Sequence, residues 1–138
     1  MPLLVFTVEE IKESLFSGEM LQTVRHEENI PYWQDLWRKI QVARASNKKE
    51  LLLHIWWKHP RRNRNARRLG AARFTEFLII TGAELTDDIA RRDGFNDKME
   101  LIDKLALIYQ TDHAIILGMQ WAIIRYQWVD GPRRPDNE

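Results

Sequence analysis

The feature that most constrains the fold is the stretch from Asp97 to Val129. Taken at about 100° per residue as one element, it places Leu101, Leu105, Ile108, Ile115, Met119 and Ile123 on a single apolar stripe. Asn96 offers an N-cap before it and Gly131-Pro132 a stop after it. A helix of that length and apolarity needs other helices to cover its stripe, and the rest of the chain supplies their punctuation. Thr7 with Glu10 forms a capping box, opening a short helix that Ser17-Gly18 closes. A second short helix is expected over residues 19–28. Pro31 starts a third, with Trp33, Trp37 and Ile40 on one stripe. Asn47 with Glu50 is a second capping box, opening a helix over 48–58 that Pro60 interrupts. A fifth helix is expected from Asn63 to Ile80, stopped by Gly82, and Thr86 caps a sixth that ends at Gly94. The expected fold is therefore all-α: a compact bundle of five to seven helices around a long apolar C-terminal helix, with residues 1–129 as one domain and 130–138 as a flexible tail.

A chain of 138 residues that is 44% hydrophobic and 30% charged can bury a real core. Six tryptophans require a large interior or an interface to hold them. With no cysteine, a disulfide framework, a thiolate metal site and a cysteine nucleophile are all excluded, which suits a reducing cytoplasm. No apolar run approaches the roughly 18 residues of a membrane span, and the N-terminal MPLLVF lacks the basic region of a signal peptide.

Charge is balanced overall, at +1, but not along the chain. Lys58, Arg61, Arg62, Arg64, Arg67, Arg68 and Arg73 fall between Glu50 and Glu76 with no carboxylate among them. On the expected Asn63 helix, the first of these crowd the N-terminus, where the helix dipole opposes each cation by about 0.3–1 kcal/mol. Such a concentration calls for an anion. Phosphate is the functional candidate, because arginine forks and a clustered field bind nucleic-acid backbone independently of sequence. Carboxylates of the same chain or of an oligomer partner are the structural one. Trp56 and Trp57, directly before the block, are candidates for stacking or interface contacts, although a core helix would also use them.

Two charges land among apolar neighbours: Asp112 in the stripe of the last helix, and Arg73 between Leu69, Phe77 and Ile80. Either the two form a buried ion pair, or the last helix breaks at Thr111 with Thr111 or Asp112 capping a new segment. The second arrangement is the better supported of the two. No catalytic motif is present, and His26, Glu27, Glu28 and His113 offer metal-donor types without a metal-ligand spacing. No cofactor is implied.

The composition and the block together imply a cytoplasmic, non-catalytic protein that contacts an RNA or DNA backbone through Lys58, Arg61, Arg62, Arg64, Arg67 and Arg68. Near-zero net charge implies weak binding alone, hence a subunit of a larger nucleoprotein assembly. In size, expected helicity and charge this is similar to the small helical subunits of RNA-guided CRISPR effector complexes. The alternative is a protein–protein module, an adaptor, inhibitor or self-assembling subunit of phage or mobile-element type, that sets the arginines on acidic protein surfaces.

Overall fold

The computed structural model describes residues 2–135 and is a mixed α/β structure, not a helical bundle. Strand β1 (Leu3–Phe6) leads through a 3₁₀ turn into helix α1 (Lys12–Ser17), then strand β2 (Gln22–His26) and the long helix α2 (Ile30–Ala45). Strands β3 (Leu53–Trp57) and β4 (Arg67–Thr81) follow, then helices α3 (Asp87–Arg92), α4 (Lys98–Ile108) and α5 (His113–Gly118), and finally strand β5 (Gln120–Asp130). The five strands form one sheet in the order β1-β3-β4-β5-β2, parallel between β1 and β3 and antiparallel elsewhere.

The expected all-α fold is overturned in three of the expected helices and again in the C-terminal stretch. The segment 19–28 contributes β2, the segment 48–58 contributes β3, and the segment from Asn63 to Ile80 becomes β4. In β3, Leu53, Ile55 and Trp57 are buried while His54 and Trp56 are only half-buried, which is the period of two that a pleated strand imposes. β4 and β5 are rich in aromatic and β-branched residues, whose side chains pack well on a pleated surface. The supposed continuous C-terminal helix is three elements. Its first turns are α4, capped by Asp97 rather than Asn96. Asp112 starts α5 by accepting the Ile115 N–H at 2.9 Å, and Trp121 to Asp130 pair with β4 along its length. The break at Thr111-Asp112 is thus present.

Three of the other expected helix signals hold. Gly18 ends α1 in the left-handed conformation (φ 83°), Pro31 lies in the first turn of α2, and the Thr86 hydroxyl caps α3 by accepting the Ile89 N–H at 3.1 Å. Neither proposed capping box forms, and Asn47 instead adopts φ 54° in the turn after α2.

Bulges bend the sheet. The β3–β4 register shifts between Ile55 and Trp56, and the β4–β5 register shifts at Ala71/Ala72 and at Phe74/Glu76. At the first of these Gly70 is required by close approach, since a Cβ there would lie 2.0 Å from the Asp130 carbonyl oxygen. The curl brings the two edge strands together: the Arg25 guanidinium on β2 donates to the Val5 carbonyl on β1 at 3.1 Å. The core fills the interior, with Leu4, Leu53, Ile55, Leu69, Phe74 and Ile124 fully buried. The tryptophans divide. Trp33, Trp57 and Trp121 are buried, Trp121 donating its indole N–H to the Ile116 carbonyl at 3.1 Å, and Trp37, Trp56 and Trp128 are half-buried. The expected flexible tail falls partly on residues 136–138, outside those described. Before them Arg134 makes a two-bond pair with Glu13 at 2.8 and 2.9 Å.

No helix among the described residues is long and apolar enough to cross a membrane. The analogy to small helical subunits loses its structural basis with the bundle.

Candidate functional site

The arginine block lies on the connection between β3 and β4 and on the first residues of β4, so no helix N-terminus opposes it. Lys58, Arg61, Arg62, Arg64, Arg67 and Arg68 are all exposed. Lys58 follows β3 directly and donates its N–H to the Phe6 carbonyl at 3.0 Å. The chain then turns at Pro60, and His59, nine-tenths buried, accepts the N–H groups of both Arg61 and Arg62 on Nδ1 at 3.1 Å each. Arg68 stands opposite Trp56 in the β3–β4 register, 3.4 Å from His54 Nδ1 and 3.8 Å from an Asp130 oxygen. Burial, then the Arg68 charge, holds the His54 imidazole below its ordinary pKa.

The two tryptophans before the block separate. Trp57 points into the core, edge-on to Phe16 with ring centroids 5.4 Å apart, and is unavailable for stacking. Trp56 points to the opposite face, beside Arg68. Arg73 and Asp112 do not meet: Arg73 donates to Glu50 at 2.7 Å, where Arg44 also binds, and Asp112 is spent on the α5 cap. Of the acidic and histidine residues with metal-donor chemistry, His26, Glu27 and His113 are committed elsewhere. His26 Nδ1 accepts the Glu28 N–H at 3.1 Å, Glu27 accepts the Gln120 N–H at 3.1 Å, and His113 lies 2.7 Å from Asp103. Among the described residues no group of three metal-donor side chains converges.

A second feature was not singled out from the sequence. Where β1 and β2 approach, they leave a cleft of about 150 Å³ lined by Phe6, Thr23, Arg25, Asp93, Lys104 and Tyr109 among others. Arg25 is fixed at its wall. Its Nε donates to the Thr23 hydroxyl at 3.0 Å, and its guanidinium carbon lies 4.9 Å above the centre of the Phe6 ring. Asp93 is 6% exposed, and its Oδ1 is buried without a hydrogen-bond partner. Burial pushes the Asp93 carboxyl up to about 8 against the opposing pull of Arg25, Gln22 and the Val24 backbone. The Tyr126 hydroxyl, also buried without a partner, is held above its ordinary pKa by burial and then by Asp93. A neutral Asp93 presents an O–H donor beside the Arg25 cation, so the cleft offers donors to an acceptor-rich ligand.

A local feature of the sequence could have marked Asp93, though not the cleft around it. Asp93 caps the C-terminus of α3, after Arg91 and Arg92, where the helix dipole disfavours a carboxylate. A carboxylate at that end is unusual enough to ask what it serves. Nothing comparable marks Arg25, whose neighbours Val5, Phe6 and Asp93 lie far along the chain.

No family model matches the chain, and no curated protein or solved structure is significantly similar to it. Function must therefore be argued from these two features.

Proposed function

We propose that this chain is a cytoplasmic, non-catalytic module that binds the backbone of a nucleic acid through the β3–β4 connection, independently of sequence, as a subunit of a larger assembly. One contrast carries the reading. Lys12, Arg38, Lys39, Arg44, Arg73, Arg92, Lys104, Arg125, Arg133 and Arg134 each pair with a carboxylate. Among the described residues Lys58, Arg61, Arg62 and Arg67 make no ion pair, and neither do Lys48, Lys49, Arg91 and Lys98, but the first four share one connection and its first strand residue. Unpaired cations gathered on a single connection keep a concentrated positive field for an outside anion. Phosphates spaced along a backbone fit a row of forks on an extended segment. The net charge of +1 argues for modest affinity alone and for partners that add to it.

The test is fluorescence anisotropy of labelled single-stranded and duplex RNA and DNA across a salt series, with wild type and an Arg61/Arg62/Arg67→Glu variant of unchanged melting temperature. Binding should weaken with salt, with a logarithmic slope of about 0.7 per phosphate engaged on single strands and about 0.9 on duplexes, and should vanish in the variant. Absence of binding at low salt would end this reading and assign the open arginines to an acidic protein surface.

A second reading is favoured by the Asp93 Oδ1, which belongs to the lining of the cleft and has no hydrogen-bond partner. Buried polar groups of this kind are expensive unless something satisfies them, and a small polar molecule in the cleft would do so. Ligand-detected NMR against Asp93→Asn decides it: a molecule held there loses affinity in the variant, and one bound on the arginine connection does not.

A further inference from the structure

The open arginines are useful to a phosphate backbone only if their connection holds a shape. A flexible connection would have to be ordered on binding, and that loss of freedom weakens affinity without removing any contact. The structure contains a group that does the ordering in advance. His59 is the one histidine that is nine-tenths buried among the described residues, and it sits at the root of an otherwise exposed segment. Its Nδ1 accepts two successive backbone N–H groups, those of Arg61 and Arg62, at 3.1 Å each. A nitrogen that accepts two hydrogen bonds carries no proton, so the ring proton is on Nε2, which faces Glu9 Oε2 at 3.5 Å. Glu9 is itself tied through Oε1 to Lys12 at 2.8 Å, and Lys58 is tied through its N–H to Phe6. The first turn of the connection is thereby tied to the end of β1 by the Lys58–Phe6 hydrogen bond, while the His59 ring lies against Glu9 without a hydrogen bond to it. Pro60, within the turn, adds a fixed φ. With their N–H groups drawn inward to one acceptor, Arg61 and Arg62 keep their side chains outside, where both are exposed.

We propose that His59 is a positioning residue for nucleic-acid binding, a buried acceptor that fixes the Lys58-to-Arg62 turn so that its cations meet adjacent phosphates without prior ordering. This rests on the backbone-binding reading above. It separates two roles that the sequence mixes in KHPRR: the cations touch phosphate, and the histidine between them does not.

The roles give different salt dependence. Binding of a labelled single-stranded oligouridylate should be measured over a salt series for wild type, His59→Ala, His59→Asn and Arg61→Ala. In His59→Ala the affinity should fall roughly five- to tenfold at every salt concentration, the loss expected when a bound segment must be ordered on binding. Its salt slope should be unchanged, because the same phosphates are neutralised. Arg61→Ala should lower the slope itself. His59→Asn places an amide oxygen near the Nδ1 position and should recover most of the affinity. In parallel, amide exchange followed by NMR without nucleic acid should show the Arg61 and Arg62 N–H groups protected in wild type and His59→Asn and unprotected in His59→Ala.

A reduced salt slope in His59→Ala would overturn the proposal by making His59 a phosphate contact, and wild-type affinity in that variant would overturn it too. Equal exchange of the two amides in wild type and His59→Ala would show that no clamp exists. If wild type binds no nucleic acid while the amides are protected, the backbone-binding reading fails, and His59 retains only a structural part.

Discussion

Replacing Asp93 with asparagine should make the protein more stable at neutral pH, and by an amount that grows with pH. In the folded chain the Asp93 carboxyl holds its proton up to a pH of about 8, against an ordinary value of 3.8. Its pKa is therefore raised on folding, and the native state binds a proton that the unfolded chain has released. Below the ordinary value both states are protonated and the group imposes no penalty. As pH rises from there towards 8, native stability falls by about 1.36 kcal/mol per pH unit. By pH 7 the loss is about 4 kcal/mol, a large share of a domain's stability of roughly 5–15 kcal/mol. Above about 8 the native carboxyl ionises as well and the loss stops growing. Asparagine has the same shape and no proton to lose, so it removes this pH dependence. Urea unfolding followed by tryptophan fluorescence at intervals from pH 5 to pH 8 measures it. The difference between variant and wild type should widen by about 4 kcal/mol over that range. A difference that stays constant with pH would mean that Asp93 is ionised in the folded protein, paired with Arg25, and would refute the neutral-acid account of the cleft.

Other substitutions should sort by where the side chains lie. Trp57→Ala should cost about 3–5 kcal/mol in urea unfolding, because Trp57 is 1% exposed, and Trp56→Ala should cost less than half of that. Glu50→Gln should cost about 1.5–3 kcal/mol, since it releases both Arg44 and Arg73. Arg73→Gln should cost under about 1 kcal/mol, since that side chain is 48% exposed. The Glu50 carboxyl is held below its ordinary pKa by the Arg44 hydrogen bond first, so this contribution is present above the ordinary carboxylate value and lost as pH falls through the lowered one; acid titration of wild type against Glu50→Gln checks the direction. Asp112→Ala should cost about 1 kcal/mol in thermal unfolding, the loss of an N-cap, and should leave the contribution of Arg73 unchanged in a double-mutant cycle.

The helices were legible where their signals are local. Pro31 marked α2, Thr86 and the Asp87-Asp88 start marked α3, Gly18 closed α1, and the charge at Asp112 exposed the break in what otherwise reads as a long helix. The strands were misread because short apolar runs satisfy both periods. Leu53, Ile55 and Trp57 alternate correctly for a strand, yet LLLHIWW is apolar nearly all round and equally fits a buried helix. Leu69, Phe77 and Ile80 share a helical face, but within β4 only bulges at Ala71/Ala72 and Phe74/Glu76 reset which residues face inward. For the candidate site, the sequence located every open cation of the arginine connection. It misplaced their backbone, and the cleft around Arg25 and Asp93 was out of its reach.

By itself, then, the sequence determined what depends on neighbours along the chain: where helices start and stop, that no cysteine chemistry is available, and where cations concentrate. The tertiary structure alone decided which segments are strands, that Arg73 meets Glu50 rather than Asp112, and that Arg25 and Asp93 share a buried cleft. The reason is the range of the bonds. A helix closes its hydrogen bonds within four residues, so its ends are written locally. A strand has no partner until a distant segment arrives, as Leu53 finds Ala72 and Thr81 finds Gln120. A buried carboxyl such as that of Asp93 acquires its character only from the walls that the closing sheet places around it.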